Sequence, residues 1–445
     1  MAMTLGGLVR GLRNVRTRRR TLFAAAERWR RRSLFILGGI GVGCLAVLLA
    51  LLADRAQSTF VSLTHGQTWI PWLLTPLGFV ACTFAARRWF QNSQGSGIPQ
   101  TIVALREHDP RIRDRLVSLR VASGKLILTV AGLLCGASTG REGPTVQVGA
   151  SILYSAGRYA PRLRGGLIVA GGAAGIAAAF NAPLAGIMFG IEEMSRRFDG
   201  PTSALVIAAV IAAGLTATAL LGNYTYFGAT TGMLDSQEWL AVLICGLAGG
   251  LVGGLFSRLV AALSGVRWKQ RLQVGGDRGA IVLALLCGLG VVLCGFLSGD
   301  LTYGTGYHEV RTALDGRAQL PASFFGFKLL ATLLSTVSGI PGGIFSPSLA
   351  VGAGLGADVA ALLGSPHVAL VMSLGMVAYL AGVVQAPMTA FIIVTEMTND
   401  HQMLIPLMCA AFLAHSVSRL LCPEGIYHML ARRLQESLRR DSTGQ

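Results

Sequence analysis

This chain carries the stretch Gly140-Arg-Glu-Gly-Pro-Thr-Val-Gln-Val-Gly-Ala150 and, further on, a second version of it, Gly343-Ile-Phe-Ser-Pro-Ser-Leu-Ala-Val-Gly-Ala353. Another pair of matching segments follows, Asn181–Glu192 and Gln385–Glu396, at nearly the same offset of about 200 residues. Two matches at one offset indicate two structural repeats, an organisation typical of secondary transporters.

The sequence between these segments is apolar enough to lie in a bilayer. Of the 445 residues 52% are hydrophobic and only 13% charged, whereas a soluble protein of this length needs more charge. Five uncharged runs are long enough to predict helices within a membrane: Leu34–Ala53, Ala204–Leu221, Leu240–Leu255, Ile281–Leu297 and Val368–Val384. Three shorter runs, interrupted by glycine or polar residues, predict tilted, partial and re-entrant helices: Leu126–Gly136, Leu167–Phe180 and Phe324–Val337.

The net charge of +17 is better explained by a membrane than by nucleic acid. The arginine clusters Arg18–Arg20, Arg30–Arg32, Arg432–Arg433 and Arg439–Arg440 border the first and last apolar runs. The positive-inside rule predicts from them a multi-pass protein of the cell membrane, with both termini cytoplasmic and in contact with lipid.

Flanking charge also predicts the orientation of the repeats. The first repeat continues as Glu193-Met-Ser-Arg-Arg197, whereas Glu396-Met-Thr-Asn-Asp-His401 in the second has no lysine or arginine. The two halves are therefore expected to be inverted, with a binding site near the midplane where broken helices from both halves meet.

Three motifs combine glycines with a proline suited to the first turn of a helix: Gly95-Ser-Gly-Ile-Pro99, Gly140-Arg-Glu-Gly-Pro144 and Gly343-Ile-Phe-Ser-Pro347. A helix N-terminus presents unpaired N–H groups and a partial positive charge, so it attracts anions. Three such termini would hold an anion without the full charge that would prevent its release. The alternative is that these motifs are ordinary kinks.

Other chemistries have little support in the sequence. The eight cysteines lie mostly in apolar runs without CxxC spacing or a histidine cluster, so neither a disulfide frame nor a metal site is expected. The chain also lacks the HExxH motif of metal-dependent hydrolases. We therefore expect no enzyme activity and no cofactor.

The three glycine motifs, in this order and spacing, resemble the signature set of the CLC family of chloride channels and chloride/proton exchangers. The likeness extends to Tyr427 and is to the prokaryotic type without regulatory C-terminal domains. It implies an all-α membrane protein of two inverted repeats, a homodimer with one pathway per subunit, and exchange of chloride for protons. The alternatives are a voltage- or pH-gated channel on the same scaffold, or an antiporter selective for nitrate or fluoride.

The resemblance also assigns residues. The hydroxyls of Ser96 and Tyr427 and the backbone amides of Ile344 and Phe345 would bind the central anion. Tyr427 could instead be an aromatic anchor at the membrane interface.

Two glutamates would move protons. Glu142 matches the family's gating glutamate, which competes with the anion when ionised and swings away when protonated; the alternative is an ion pair with Arg141. Glu193 matches the internal proton-transfer glutamate that distinguishes exchangers from channels, although it could instead pair with Arg196 or Arg197. The choice of Glu193 over Glu192 rests on the alignment alone.

Supporting roles fall to Arg141, Gly143 and Lys125, the last as a counter-charge for Glu193. The chain departs from the best-known bacterial exchangers after its first glycine motif. It reads Gln100-Thr-Ile102 there, whereas those proteins carry acidic residues nearby. Ser96 and Pro144 argue against the fluoride-selective branch.

The predicted organisation has three parts. Residues 1–32 form a basic cytoplasmic arm, and residues 431–445 form a short basic cytoplasmic tail. Between them, residues 33–430 form the transmembrane domain, with repeat one at about 33–221 and repeat two at about 240–430.

Overall fold

A computed structural model describes residues 2–195, 203–222, 238–264 and 277–443, together with 225–228, 230, 232, 234 and 235. The described chain is almost entirely helical. Its helices are α1 (Ala2–Thr64), α2 (Ile70–Arg88), α3 (Ile98–Arg106), α4 (Pro110–Leu116), α5 (Leu119–Leu134), α6 (Glu142–Ala156), α7 (Arg164–Phe180), α8 (Pro183–Phe189), α9 (Ser203–Leu221), α10 (Trp239–Ser264), α11 (Asp277–Ser298), α12 (Tyr307–Leu314), α13 (Ser323–Ser338), α14 (Phe345–Leu363), α15 (Val368–Val384), α16 (Pro387–Thr398), α17 (Leu404–Leu421) and α18 (Ile426–Thr443).

The apolar runs of the sequence are helices, as predicted. Among the described residues, nine helices are long and apolar enough to cross a membrane. Several others are too short, including α3, α8 and α12, with 9, 7 and 8 residues. This mixture of full-length and partial helices confirms the expected fold class of tilted and re-entrant helices.

Within each half, two neighbouring helices pack closely through glycines. Gly149 of α6 lies against the backbone of Gly171 in α7, and Gly352 of α14 makes the equivalent contact with Gly375 in α15. A Cβ on any of these four glycines would lie 2.2–2.5 Å from a backbone oxygen. Small residues therefore set the close helix spacing that buries the broken helices at the centre of the protein.

The predicted ends of the transmembrane domain do not coincide with breaks in secondary structure. Helix α1 continues from Ala2 through residue 32 to Thr64, and α18 continues from Ile426 through residue 430 to Thr443. The boundaries at 32/33 and 430/431 remain predictions based on charge.

Candidate functional site

The loops that precede three broken helices are joined by backbone hydrogen bonds at the centre of the protein. The N–H groups of Gly140 and Gly343 each donate to the other residue's carbonyl, at 2.8 and 2.7 Å. Gly95 donates to Ile340 at 3.2 Å and accepts from Gly342 at 3.0 Å. The starts of α3, α6 and α14, which carry the three glycine motifs, are thus brought together as the sequence predicts.

Glycine is required at this junction because the backbones approach closely. Gly97, the residue before α3, has a φ of +95°, a left-handed conformation that favours glycine. A Cβ on Gly143 would lie 2.4 Å from the Ser96 hydroxyl and 3.1 Å from the Cα of Gly343. Gly143 therefore supports the site by allowing the Ser96 loop to approach the first turn of α6.

Two hydroxyl groups are buried here without a hydrogen-bond partner among the described residues. They belong to Ser96 and Tyr427, whose hydroxyls lie near each other but do not meet the geometry of a hydrogen bond. A buried hydroxyl without a partner is energetically costly, so these two are suited to donate to a bound anion. Tyr427 is completely buried in the protein, which disagrees with an anchor exposed at the membrane interface.

Ile344 and Phe345 lie at the start of α14, where backbone N–H groups lack partners within the helix. Both are buried, and the Phe345 ring stacks on Tyr427 with centroids 5.8 Å apart. Phe180 and Phe189 pack edge-on against Phe345 at 6.1 Å. The aromatic cluster fixes Tyr427 and excludes water from the N-terminus of α14.

Glu142, the first residue of α6, is fully buried. Its carboxylate accepts a 2.5 Å hydrogen bond from the hydroxyl of Ser346 and interacts with the backbone N–H groups of Ser346 and of Glu142 itself. The side chain thus lies where an anion would lie, between the first turns of α6 and α14.

Arg141 does not form the alternative ion pair with Glu142. Its guanidinium donates to Asp54 and to the carbonyl of Ala50 in α1, both at 2.7 Å. Its charge still stabilises the Glu142 carboxylate at longer range. Arg141 therefore joins α1 to the start of α6 and adds positive potential beside the Glu142 carboxylate.

The structure gives the two consecutive glutamates different surroundings. The Glu192 carboxylate accepts from the backbone N–H groups of Met388 and Thr389, at 3.2 and 2.7 Å. Glu193 is only 2% exposed and lies 3.5 Å from His428. Glu192 is therefore engaged in capping α16, while Glu193 faces the interior. Arg196 and Arg197, the alternative partners, lie outside the described residues.

A second carboxylate mirrors the Glu192 cap across the repeats. Glu396 in α16 accepts from the backbone N–H groups of Leu184 and Ala185 at the start of α8, at 3.1 and 2.7 Å. Each repeat thus caps a short helix of the other, in keeping with the favourable position of a carboxylate at a helix N-terminus.

Lys125 is buried, and its ammonium group donates to the carbonyls of Gln94 and Gly95, at 3.3 and 2.8 Å. These contacts hold the loop that carries Ser96. The expected counter-charge role toward Glu193 stays a prediction, because both of these hydrogen bonds of Lys125 are with this loop.

The sequence interpretation missed three residues of this centre. Ser346 lies inside the Gly343–Pro347 motif, so a hydroxyl next to Phe345 was a visible signal. His428 directly follows Tyr427 and was equally visible. Asp54 carried a weaker signal, as an acidic residue that ends the uncharged run Leu34–Ala53.

Comparison with known proteins gives a consistent result. The family described as voltage gated chloride channel matches residues 77–419. The H(+)/Cl(-) exchange transporter ClcA of Yersinia pestis bv. Antiqua (strain Angola) is 30% identical over 436 residues, covering 88% of this chain and 86% of the relative. ClcA of Yersinia pseudotuberculosis serotype IB (strain PB1/+) is 31% identical over 400 residues, with 81% and 79% covered.

Solved structures share the fold. A slow cyanobacterial Cl-/H+ antiporter matches with a TM-score of 0.78 and 26% identity, over 91% of this chain and 98% of its own. A CLC-type fluoride/proton antiporter matches with a TM-score of 0.75 and 24% identity, over 91% and 98%. At this lower identity the second likeness concerns the fold alone.

Proposed function

We propose that this chain, which belongs to the family of voltage gated chloride channels, exchanges chloride for protons across a membrane. Its similarity to the ClcA exchange transporters and to the cyanobacterial Cl-/H+ antiporter supports this function. The proposal concerns coupled transport rather than passive conduction, and it depends on two buried glutamates.

The observation that carries the proposal is the placement of Glu142. Its carboxylate lies between the first turns of α6 and α14, against the Ser346 hydroxyl and backbone N–H groups. An anion attracted by the same donors competes with it. Protonation removes the charge of Glu142 and weakens its hold on these donors, so the anion can enter. Proton binding and anion movement are thereby linked at one place.

The second glutamate supplies the other end of a proton path. Glu193 is buried, and both Glu193 and Glu142 interact electrostatically with the phenol of Tyr427. A proton on Glu142 and an anion beside Tyr427 would therefore influence each other. Ser96, Tyr427, Ile344 and Phe345 would bind the anion, and Glu193 would exchange protons with the cytoplasmic side.

The proposal includes a membrane orientation and an assembly. The arginine clusters near both ends support cytoplasmic termini in a cell membrane. Two copies would pair, each with its own pathway. The side chains of Leu184 in α8 and Ile405 in α17 are both 60% exposed in the single chain and would face lipid or the second copy.

Reconstitution of the purified protein in liposomes tests this function. An outward chloride gradient, with the membrane voltage held at zero by potassium and valinomycin, should drive protons uphill. Glu142→Ala and Glu193→Gln should abolish proton movement while chloride still passes. Glu436→Gln changes an exposed carboxylate on α18 and should leave coupling intact.

Chloride flux without proton movement in the unmodified protein would make it a passive channel. Replacing chloride with nitrate or fluoride in the same vesicles tests the alternative selectivities. Proton movement driven by fluoride but not by chloride would contradict the assignment of chloride as the substrate.

A further inference from the structure

The buried Glu193 carboxylate lies beside an imidazole. His428, the residue after Tyr427 on α18, is buried, and its Nε2 is 3.5 Å from Glu193. Its Nδ1 is 2.7 Å from the guanidinium of Arg106, at the end of α3. Arginine can only donate, so Nδ1 accepts from it and the imidazole hydrogen lies on Nε2, toward Glu193.

These three residues lead from the interior to the surface. Glu193 is 2% exposed, His428 is 6% exposed, and Arg106 is exposed to solvent. Arg106 therefore covers the outer nitrogen of an imidazole whose inner nitrogen faces the carboxylate. Removing a long, flexible side chain from Nδ1 requires no movement of the helices, so water can replace it there.

Other side chains of this region are less suited than His428 to pass a proton to Glu193. Glu192 is held by the N-terminus of α16. On α3, Gln100 has an amide bonded to Gln94, and Ile102 is a buried hydrocarbon, so neither can carry a proton. His428, in contrast, has one ring nitrogen toward Glu193 and the other toward Arg106, so it can take up a proton on one side and release one on the other.

We propose that His428 carries protons between cytoplasmic water and Glu193, a role that rests on the proposed exchange function. When Arg106 moves aside, a hydronium ion in the cytoplasmic water gives its proton to Nδ1, so that one of its O–H bonds breaks, an Nδ1–H bond forms and neutral water is left. The Nε2–H bond breaks, and its proton forms an O–H bond with the Glu193 carboxylate. The imidazole stays neutral, and a rotation of the ring later turns its protonated nitrogen back toward Glu193. The reverse sequence releases a proton.

The test measures the ratio of proton to chloride flux in liposomes. His428→Gln keeps an N–H donor for Glu193 but cannot pass a proton. It should lower proton flux about tenfold or more, while chloride flux stays within about twofold. His401→Gln, which changes an exposed histidine between α16 and α17, is the matched control and should leave the ratio unchanged.

A second variant addresses misfolding. His428→Ala should also lose proton flux, and imidazole added on the cytoplasmic side should restore it, because a small imidazole can occupy the vacated position. A proton-to-chloride ratio in His428→Gln equal to that of the unmodified protein would overturn the relay. So would equal losses of both fluxes, or no effect of imidazole on His428→Ala.

The relay and the exchange function can fail separately. If the unmodified protein moves no protons, the exchange function is wrong and the relay falls with it. Suppose that the unmodified protein couples proton to chloride transport and that Glu193→Gln loses this coupling. A His428→Gln variant that keeps the coupling then rejects the relay and leaves the exchange function intact.

Discussion

The hydroxyl of Ser346 donates a hydrogen bond to the carboxylate of Glu142, across 204 residues of sequence and between the two repeats. Ser346 belongs to the first turn of α14, and Glu142 begins α6. The bond stabilises the ionised carboxylate in the position where, under the proposed gating role, it would block an anion. Since a protonated carboxyl group accepts less strongly, this contact would favour the proposed closed state mainly when Glu142 is charged.

Ser346→Ala should therefore open the pathway more often. Loss of a hydrogen bond to a charged group amounts to about 1.5–3 kcal/mol, so chloride flux should rise about tenfold if release of Glu142 limits the rate. Ser348→Ala, on the same helix, is the control. Efflux from liposomes, followed with a chloride electrode, gives the result. Unchanged or slower flux would show that Ser346 does not hold the gate closed.

The Glu142 gate also predicts a pH dependence. Chloride flux should rise as pH falls, because protonation removes the charge that competes with the anion. Glu142→Ala should give chloride flux that is fast and nearly independent of pH. Chloride efflux measured between about pH 4 and 8 tests this, because carboxyl groups and histidines ordinarily titrate in roughly that range. A Glu142→Ala variant that kept the full pH dependence would place the gate elsewhere.

The unpaired hydroxyls of Ser96 and Tyr427 should bind the anion directly. Tyr427→Phe removes one neutral donor and should weaken chloride binding by about two- to tenfold, with Ser96→Ala similar. Isothermal titration of the purified protein with chloride measures both affinities. Tyr379→Phe, which removes another buried hydroxyl, is the control and should bind chloride normally. Unaltered affinity in both site variants would exclude these hydroxyls as donors.

The reciprocal caps formed by Glu192 and Glu396 predict an effect on stability rather than on coupling. Glu396→Ala leaves the N–H groups of Leu184 and Ala185 without their acceptor, at a cost of about 1–2 kcal/mol. Thermal unfolding of this variant in detergent should show a lower Tm. The variant that remains folded should keep the proton-to-chloride flux ratio of the unmodified protein.

The matched change is Glu424→Ala, which removes an exposed carboxylate paired with Arg432 and should alter the Tm far less. A Glu396→Ala variant as stable as the unmodified protein would mean that the cap contributes little.

Local sequence predicted much of this fold, for physical reasons. Uncharged runs such as Val368–Val384 have few ways to satisfy their backbone in lipid other than a helix. A glycine before a helix start and a proline in its first turn, as at Gly97 and Pro99, fix where a broken helix begins. The matching segments then indicated that the motifs of both halves meet at one centre.

The partners of the charged groups could not be predicted in this way. Arg141 bonds to Asp54, 87 residues away, and Glu142 bonds to Ser346, and no local periodicity encodes such contacts. Glu192 and Glu193 are also equivalent in local sequence. Consecutive residues on a helix point in different directions, so tertiary packing places one on a helix N-terminus and the other beside His428.

The most direct test of coupled exchange is the voltage at which net chloride flux stops in liposomes with equal chloride and different pH on the two sides. An exchanger balances both gradients, so this voltage should differ from zero and should change sign when the pH gradient is reversed. In Glu193→Gln it should return to zero. A value of zero for the unmodified protein under every pH gradient would contradict coupled exchange and would identify a passive chloride pathway.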